Sequence, residues 1–409
     1  MASSEGSTNA DIDRAGPWKE GRYQRPDESV DQTVGRHLMF TLRSRNITYR
    51  LISMIVGTAL IVFSGLTLSP SLAAKEKYVV DSVTGTKYKP EPEMKELLLA
   101  LTELGEKPIQ TLTPTDARRQ PTMQDAVSAV LKKNGVSADP SKLVPDITTV
   151  ETTIPGSDGT EIKAIVYTPT GPGPFPVVVY FHGGGWVIGT AQAYDLSARS
   201  LAKEAQAVVI SADYRLAPES KFPAAWDDAL AVYKWTASKV GSWRGDPRRL
   251  ALAGEGAGGN LAISTALSTV AAGLTRPKAV IAIYPVVQTG TTTESYVDSV
   301  NAKPLNKAAL DWFLDKTLNS NADKTDPRLD IIHAKLSLLP PVTIINAQID
   351  PLRSDGAMLE EALKQVNVKV MRKEYEGVTH DFFGAAAVLP AAKKAQSFAA
   401  DQLKDAFKE

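Results

Sequence analysis

From about residue 150 onward, short apolar runs alternate with longer stretches whose apolar positions recur at helical spacing. "EIKAIVYTP", "FPVVVYFH", "AVVISADY", "RLALAG", "KAVIAIYP", "PVTIINA" and "VKVMRKEY" predict strands. "AYDLSARSLAKEA", "AAWDDALAVYKWTAS", "GGNLAISTALSTVAAG", "NKAALDWFLDKT", "DGAMLEEALKQV" and "AAKKAQSFAADQLKDA" predict helices between and after them. Several of the strands are apolar throughout, as expected when both faces of a sheet are covered. The alternation predicts a doubly wound, mostly parallel α/β sheet over residues 151–409. Ahead of it, residues 74–150 read as a linker and an N-terminal helical cap. "EMKELLLALTEL" keeps its apolar residues on one face. "PTMQDAVSAVLKKNG" starts at Thr122 as N-cap with Asp125 at N3, and stops at Gly135. The "LTPTDARRQP" between them is a polar connection or a turn of helix.

The first residues have no such periodicity. Residues 1–36 are polar and charged, a composition that does not bury a core. An arginine-rich stretch then leads into "LISMIVGTALIVFSGLTLSP" and the small-residue pair Ser71 and Ala73. That order is the layout of a secretory signal. The expectation is translation from Met39, with residues 1–38 a disordered extension or a misassigned start. The other reading is an uncleaved membrane anchor over 39–73, tethering the chain through residues 51–70. Arg36, Arg43, Arg45 and Arg50 precede the apolar run, so the N-terminus would stay inside. Either way the α/β part is exported: periplasmic, extracellular, or held outside the membrane.

Composition narrows the chemistry. The 409 residues carry 46 basic and 46 acidic side chains and no block of basic residues, which argues against nucleic acid as a partner. With no cysteine there is no disulfide, thiolate metal site or thiol nucleophile. The 4 histidines, His37, His182, His333 and His380, make the search for a general base short.

Ligands of such sheets bind beyond the carboxyl ends of the strands, and four motifs fall there. "HGGGW" (182–186) follows a strand with three glycines whose bare amides suit a developing negative charge; a phosphate loop would want a Lys-Ser/Thr pair, which is absent. "LALAGEGAGGN" is a strand, a tight Gly-x-x-x-Gly turn and a helix, the frame of a nucleophile elbow with Gly256 at its centre. Asp350 in "AQIDPLRSDG" follows the next-to-last strand, where an orienting carboxylate would stand. His380 in "EGVTHDFF" follows the last strand. His182 reads as support for its own loop, and His333 has no motif around it.

Together, "HGGGW", "DYRLAPE", "GEGAGGNLA", "DPLRSDG" and "GVTHDF" resemble, in order and spacing, the hormone-sensitive-lipase-like esterases and lipases of the α/β-hydrolase fold. The resemblance covers roughly residues 90–409. It implies hydrolysis of short- to medium-chain carboxylic esters without metal or cofactor. It implies Gly184, Gly185 and the Ala257 amide as oxyanion hole, His380 as general base and Asp350 as its orienting acid. Trp186 and Tyr194 fall, by position, in the substrate pocket. Asp213, Arg215 and Glu219 of "DYRLAPE" read as scaffold. The family nucleophile is a serine, and that position holds Gly256. The chain is therefore expected to be an ester hydrolase impaired at one residue, or a non-catalytic protein that holds a small molecule in the same pocket.

Overall fold

A computed structural model describes residues 79–408. The extension at 1–38, the signal or anchor at 39–73 and the tether through 51–70 lie outside those residues. Among the described residues no helix is long and apolar enough to cross a membrane.

The sheet comprises β1 (Ile147–Pro155), β2 (Glu161–Pro169), β3 (Phe175–Phe181), β4 (Val208–Asp213), β5 (Gly245–Glu255), β6 (Val280–Ile283), β7 (Val342–Ile349) and β8 (Val370–Thr379). Their order is β1-β2-β4-β3-β5-β6-β7-β8. β2 runs antiparallel to β1 and β4, and every pair from β4 onward is parallel. The sheet is thus mostly parallel, as the sequence predicts. β1 escapes the hydrophobic pattern because it is an edge strand: its "TTVETT" is largely exposed, so no apolar face marks it. It begins at Ile147, so the sheet starts slightly ahead of the expected boundary at 151.

The helices are α1 (Pro92–Glu103), α2 (Pro114–Ala117), α3 (Met123–Lys133), α4 (Pro140–Leu143), α5 (Asp195–Ala205), α6 (Ala224–Lys239), α7 (Ala257–Ala271), α8 (Glu294–Asp298), α9 (Lys307–Thr317), α10 (Arg353–Gln365) and α11 (Pro390–Lys408). They cover both faces of the sheet. Val177, Val179 and Phe181 of β3 join one apolar cluster with Leu261 of α7, Phe313 of α9 and Leu359 of α10. Val178 and Tyr180 of the same strand join the other, with Leu201 of α5 and Leu403 of α11. This alternation is the period of two that a strand imposes on its side chains.

α3 starts at the expected Thr122, whose hydroxyl and Asp125 form a reciprocal capping box. α1 and α3 are more than a cover. Met94, Leu97, Leu101, Val127 and Val130 are fully or almost fully buried within the second cluster. Each such side chain stabilises the fold by about 1.5–3 kcal/mol. The N-terminal helices therefore form part of the core beside β8 and α11.

Candidate active site

β3, β5, β7 and β8 are parallel, so their carboxyl ends open on one edge of the sheet. β5 stops at Glu255, α7 starts at Ala257, and Gly256 alone makes the turn, at φ 54° and ψ −113°. Only glycine takes that conformation without strain. The turn is tight because α7 is packed against the end of β3. A Cβ on Gly258 would stand 2.0 Å from the Phe181 carbonyl oxygen. A Cβ on Gly254 would stand 2.2 Å from the Gly258 oxygen. The small residues flanking the turn are thus dictated by backbone approach.

His380 follows β8 and is 7% exposed. Its Nδ1 lies 2.8 Å from Asp350 Oδ2. Asp350, fully buried at the end of β7, also accepts from the Leu352 amide at 2.8 Å. Nε2 looks the other way. A Cβ built on Gly256 would lie 3.3 Å from it, with no atom outside the imidazole within 4 Å and the chain neighbours left aside. Burial works against charge on His380, but the Asp350 carboxylate at its Nδ1, with Asp381 and Glu255 nearby, raises its pKa from 6.5 to about 9. Protonated His380 is therefore favoured in the folded chain. Its contribution to stability is complete below about pH 6.5 and is lost as pH rises through about 9. Denaturant unfolding should show stability falling between about pH 7 and 9. Asp350→Asn should flatten that fall; an unchanged slope in the variant would contradict the assignment.

The glycine loop leaves β3 beside this pair. A Cβ on Gly183 would meet the Glu255 carbonyl at 3.3 Å and the Tyr194 hydroxyl at 2.6 Å. Gly184 and Gly185 have φ of 100° and 58° and are half-buried. Among the described residues, the amides of Gly184, Gly185 and Ala257 donate to no acceptor. His182 is buried, and burial lowers its pKa. Its ring stacks on Tyr214 at 4.3 Å, and its Nδ1 donates to the Gly183 carbonyl at 2.7 Å. It braces the loop and takes no part in the cluster around Gly256.

Tyr194 lies beside the glycine loop, its hydroxyl donating to Asp381 Oδ1 at 3.2 Å. Trp186, expected in the substrate pocket, has its indole packed in the core, 2% exposed, with the ring 5.1 Å from Trp226. Trp186 itself has a positive φ of 61°. α9 packs against the loop: a Cβ on Gly185 would run into the Phe313 ring at 2.2 Å, and Thr317 donates to the Gly185 carbonyl at 3.3 Å. Nothing in the periodicity of "NKAALDWFLDKT" marks which apolar residue meets the loop.

The "DYRLAPE" residues are scaffold. Asp213 accepts from the Ala191 amide at 2.6 Å, and Arg215 pairs with Asp228 and Asp158. Glu219 pairs with Arg118, which also donates to the carbonyls of Val187 and Ala217. Arg118 thereby ties the N-terminal helices to the glycine loop. Glu255, next to Gly256, points away into the core, where it accepts from both Tyr180 and Tyr284. Burial pushes its carboxyl up to about 7, against those two hydrogen bonds. Asp381 is a neighbour that motif reading passes over. It has a φ of 64° and stands 3.9 Å from His380 Nε2. His333 is exposed and pairs with Asp330. Among the described residues no cluster of His, Asp and Glu has the makings of a metal site.

A mostly parallel sheet with a glycine loop after β3, a one-residue elbow after β5, and an acid and a histidine after the last two strands defines an α/β-hydrolase. The family described as alpha/beta hydrolase fold matches residues 178–384. Carboxylesterase NlhH of Mycobacterium tuberculosis is 35% identical over 294 residues, 70% of this chain and 91% of that protein. The solved esterase of Pyrobaculum calidifontis superposes with a TM-score of 0.67 at 34% identity, over 75% of this chain and 97% of that one. A thermostable esterase of Pseudomonas putida ECU1011 gives a TM-score of 0.69 at 30% identity, over 78% and 98%. The chain belongs to the hormone-sensitive-lipase-like carboxylesterase family of α/β-hydrolases.

Proposed function

We propose that this protein is a carboxylic-ester hydrolase for short- to medium-chain esters whose covalent step is disabled by Gly256. His380 is the general base, Asp350 holds its imidazole, and the amides of Gly184, Gly185 and Ala257 bind the oxyanion. The observation that carries the reading is the position of His380 Nε2, 3.3 Å from where a Cβ of residue 256 would begin. A serine hydroxyl there would fall within reach of the base. Tyr194 lines the pocket.

With no serine, a water that gives its proton to His380 attacks the ester carbonyl directly, and the oxyanion is held by the amides. The alcohol leaves as it takes the proton back from His380. In serine proteases stripped of the triad, the oxyanion hole and binding leave about 10³–10⁴-fold catalysis over water. The purified chain should therefore hydrolyse p-nitrophenyl acetate and butyrate slowly but above background. Turnover typical of an intact esterase would place the nucleophile elsewhere and overturn the reading.

A further inference from the structure

His380 has two ring nitrogens, and only one of them is held. Nδ1 is paired with Asp350. Nε2 makes no hydrogen bond among the described residues, and Asp381 Oδ1 stands 3.9 Å from it. That is too far for a direct hydrogen bond and a span that one water can bridge. Two features fix the carboxylate there. Asp381 directly follows His380 at the end of β8 with a φ of 64°, a left-handed backbone that residues with a side chain seldom adopt. The Tyr194 hydroxyl, beside the glycine loop, donates to the same Oδ1 at 3.2 Å. The Asp381 side chain is still 31% exposed, so water reaches it from outside.

We propose that Asp381 is a positioning residue for the water that replaces the serine. That water donates one hydrogen to Nε2 of neutral His380 and the other to Asp381 Oδ1, which leaves its oxygen lone pairs to the ester. In the attack the water oxygen bonds to the carbonyl carbon and its proton passes to Nε2. The ester C–O bond then breaks, and the departing alcohol takes that proton. Asp381 keeps its hydrogen bond and exchanges no proton. A serine at 256 would bring its own hydroxyl to Nε2, whereas glycine yields that place to water. The other charged and titratable groups around the base are engaged elsewhere. Asp350 lies at Nδ1, Glu255 is held by Tyr180 and Tyr284, and the Tyr284 ring packs on the imidazole with centroids 4.5 Å apart. Glu106, in the loop after α1, is near enough to feel the charges of Asp381 and Lys303. Asp381 is the carboxylate on the Nε2 side, and its charge helps to raise the His380 pKa to about 9.

This role rests on the hydrolase reading of the site, and the test separates the two. Hydrolysis of p-nitrophenyl butyrate by the full chain is followed from about pH 7 to about 9.5, across the titration of the base. Asp381→Gly removes the carboxylate and suits the left-handed backbone, so the fold is spared. At the top of the range kcat should fall at least about tenfold with KM unchanged, the loss of one hydrogen bond to a charged acceptor. The midpoint of the pH profile should move down, because a charge that raises the His380 pKa is gone. Asp381→Asn should shift the midpoint in the same direction and keep most of kcat, since its carbonyl oxygen still accepts. Sodium formate should restore kcat to Asp381→Gly, and sodium chloride at equal ionic strength should not. An unchanged kcat in Asp381→Gly, a loss that falls on KM instead, or a loss that formate leaves in place would overturn the role. An inactive parent beside a Gly256→Ser variant that hydrolyses esters sinks this proposal and leaves the hydrolase reading standing. A kcat loss that formate repairs, beside a folded but inert Gly256→Ser variant, does the reverse.

Discussion

Gly256→Ser is expected to raise the hydrolysis of p-nitrophenyl butyrate by at least about 10³-fold. Loss of the triad serine costs about 10⁶ in kcat in a serine protease, so its return should recover much of that. The histidine and carboxylate that a serine there would need are already paired. The Asp350 carboxylate is 2.8 Å from His380 Nδ1, which fixes the tautomer and aims Nε2 at residue 256. The space ahead of the new Cβ holds only the imidazole, at 3.3 Å, so the ring must yield by a few tenths of an ångström. His380 must be neutral to accept the serine proton. With its pKa raised to about 9, the rate should climb with pH up to that value. The gain has a cost. At φ 54° a serine is strained where glycine is not, and the variant should unfold about 1 kcal/mol more easily. A stable variant with parental activity would mean that no working base faces this position.

Gly258→Ala should be among the most damaging single changes in the chain. Its Cβ would lie 2.0 Å from the Phe181 oxygen and 2.4 Å from the His182 oxygen. Both are backbone atoms at the end of β3, where the glycine loop begins, so relief requires moving β3 away from α7. Overpacking of a rigid site costs about 1–3 kcal/mol and sometimes more, and this one should reach about 3 kcal/mol or exceed it. Gly241→Ala is the contrast: nothing lies within 4 Å of its Cβ position, and the change should stay within about 0.5 kcal/mol. Urea midpoints measure both. A Gly258→Ala variant as stable as Gly241→Ala would refute the account of why the elbow is built of small residues.

The parts of the site that sequence reveals are those fixed by backbone. Gly254 and Gly258 are legible because close approach excludes larger residues, and His380 and Asp350 because each directly follows a strand. Side-chain direction is far less legible. Trp186 belongs to the same motif as Gly184 and Gly185, yet its indole packs against Trp226, and no pattern in "HGGGW" announces that. Phe313 reaches Gly185 from a helix remote in sequence, so only tertiary packing brings them together. Asp381 was hidden by its neighbour, since a histidine after the last strand draws the attention. β1 left no apolar alternation because water covers most of it.

The proposed esterase site lacks one hydroxyl, at residue 256. Its return is read in the mass of the Gly256→Ser protein after exposure to a fluorophosphonate, followed by peptide mapping. One phosphonyl adduct per chain is expected, carried by residue 256, and none on the Gly256 parent under the same conditions. A folded variant that stays unmodified, or a parent that is labelled just as fast, would contradict it.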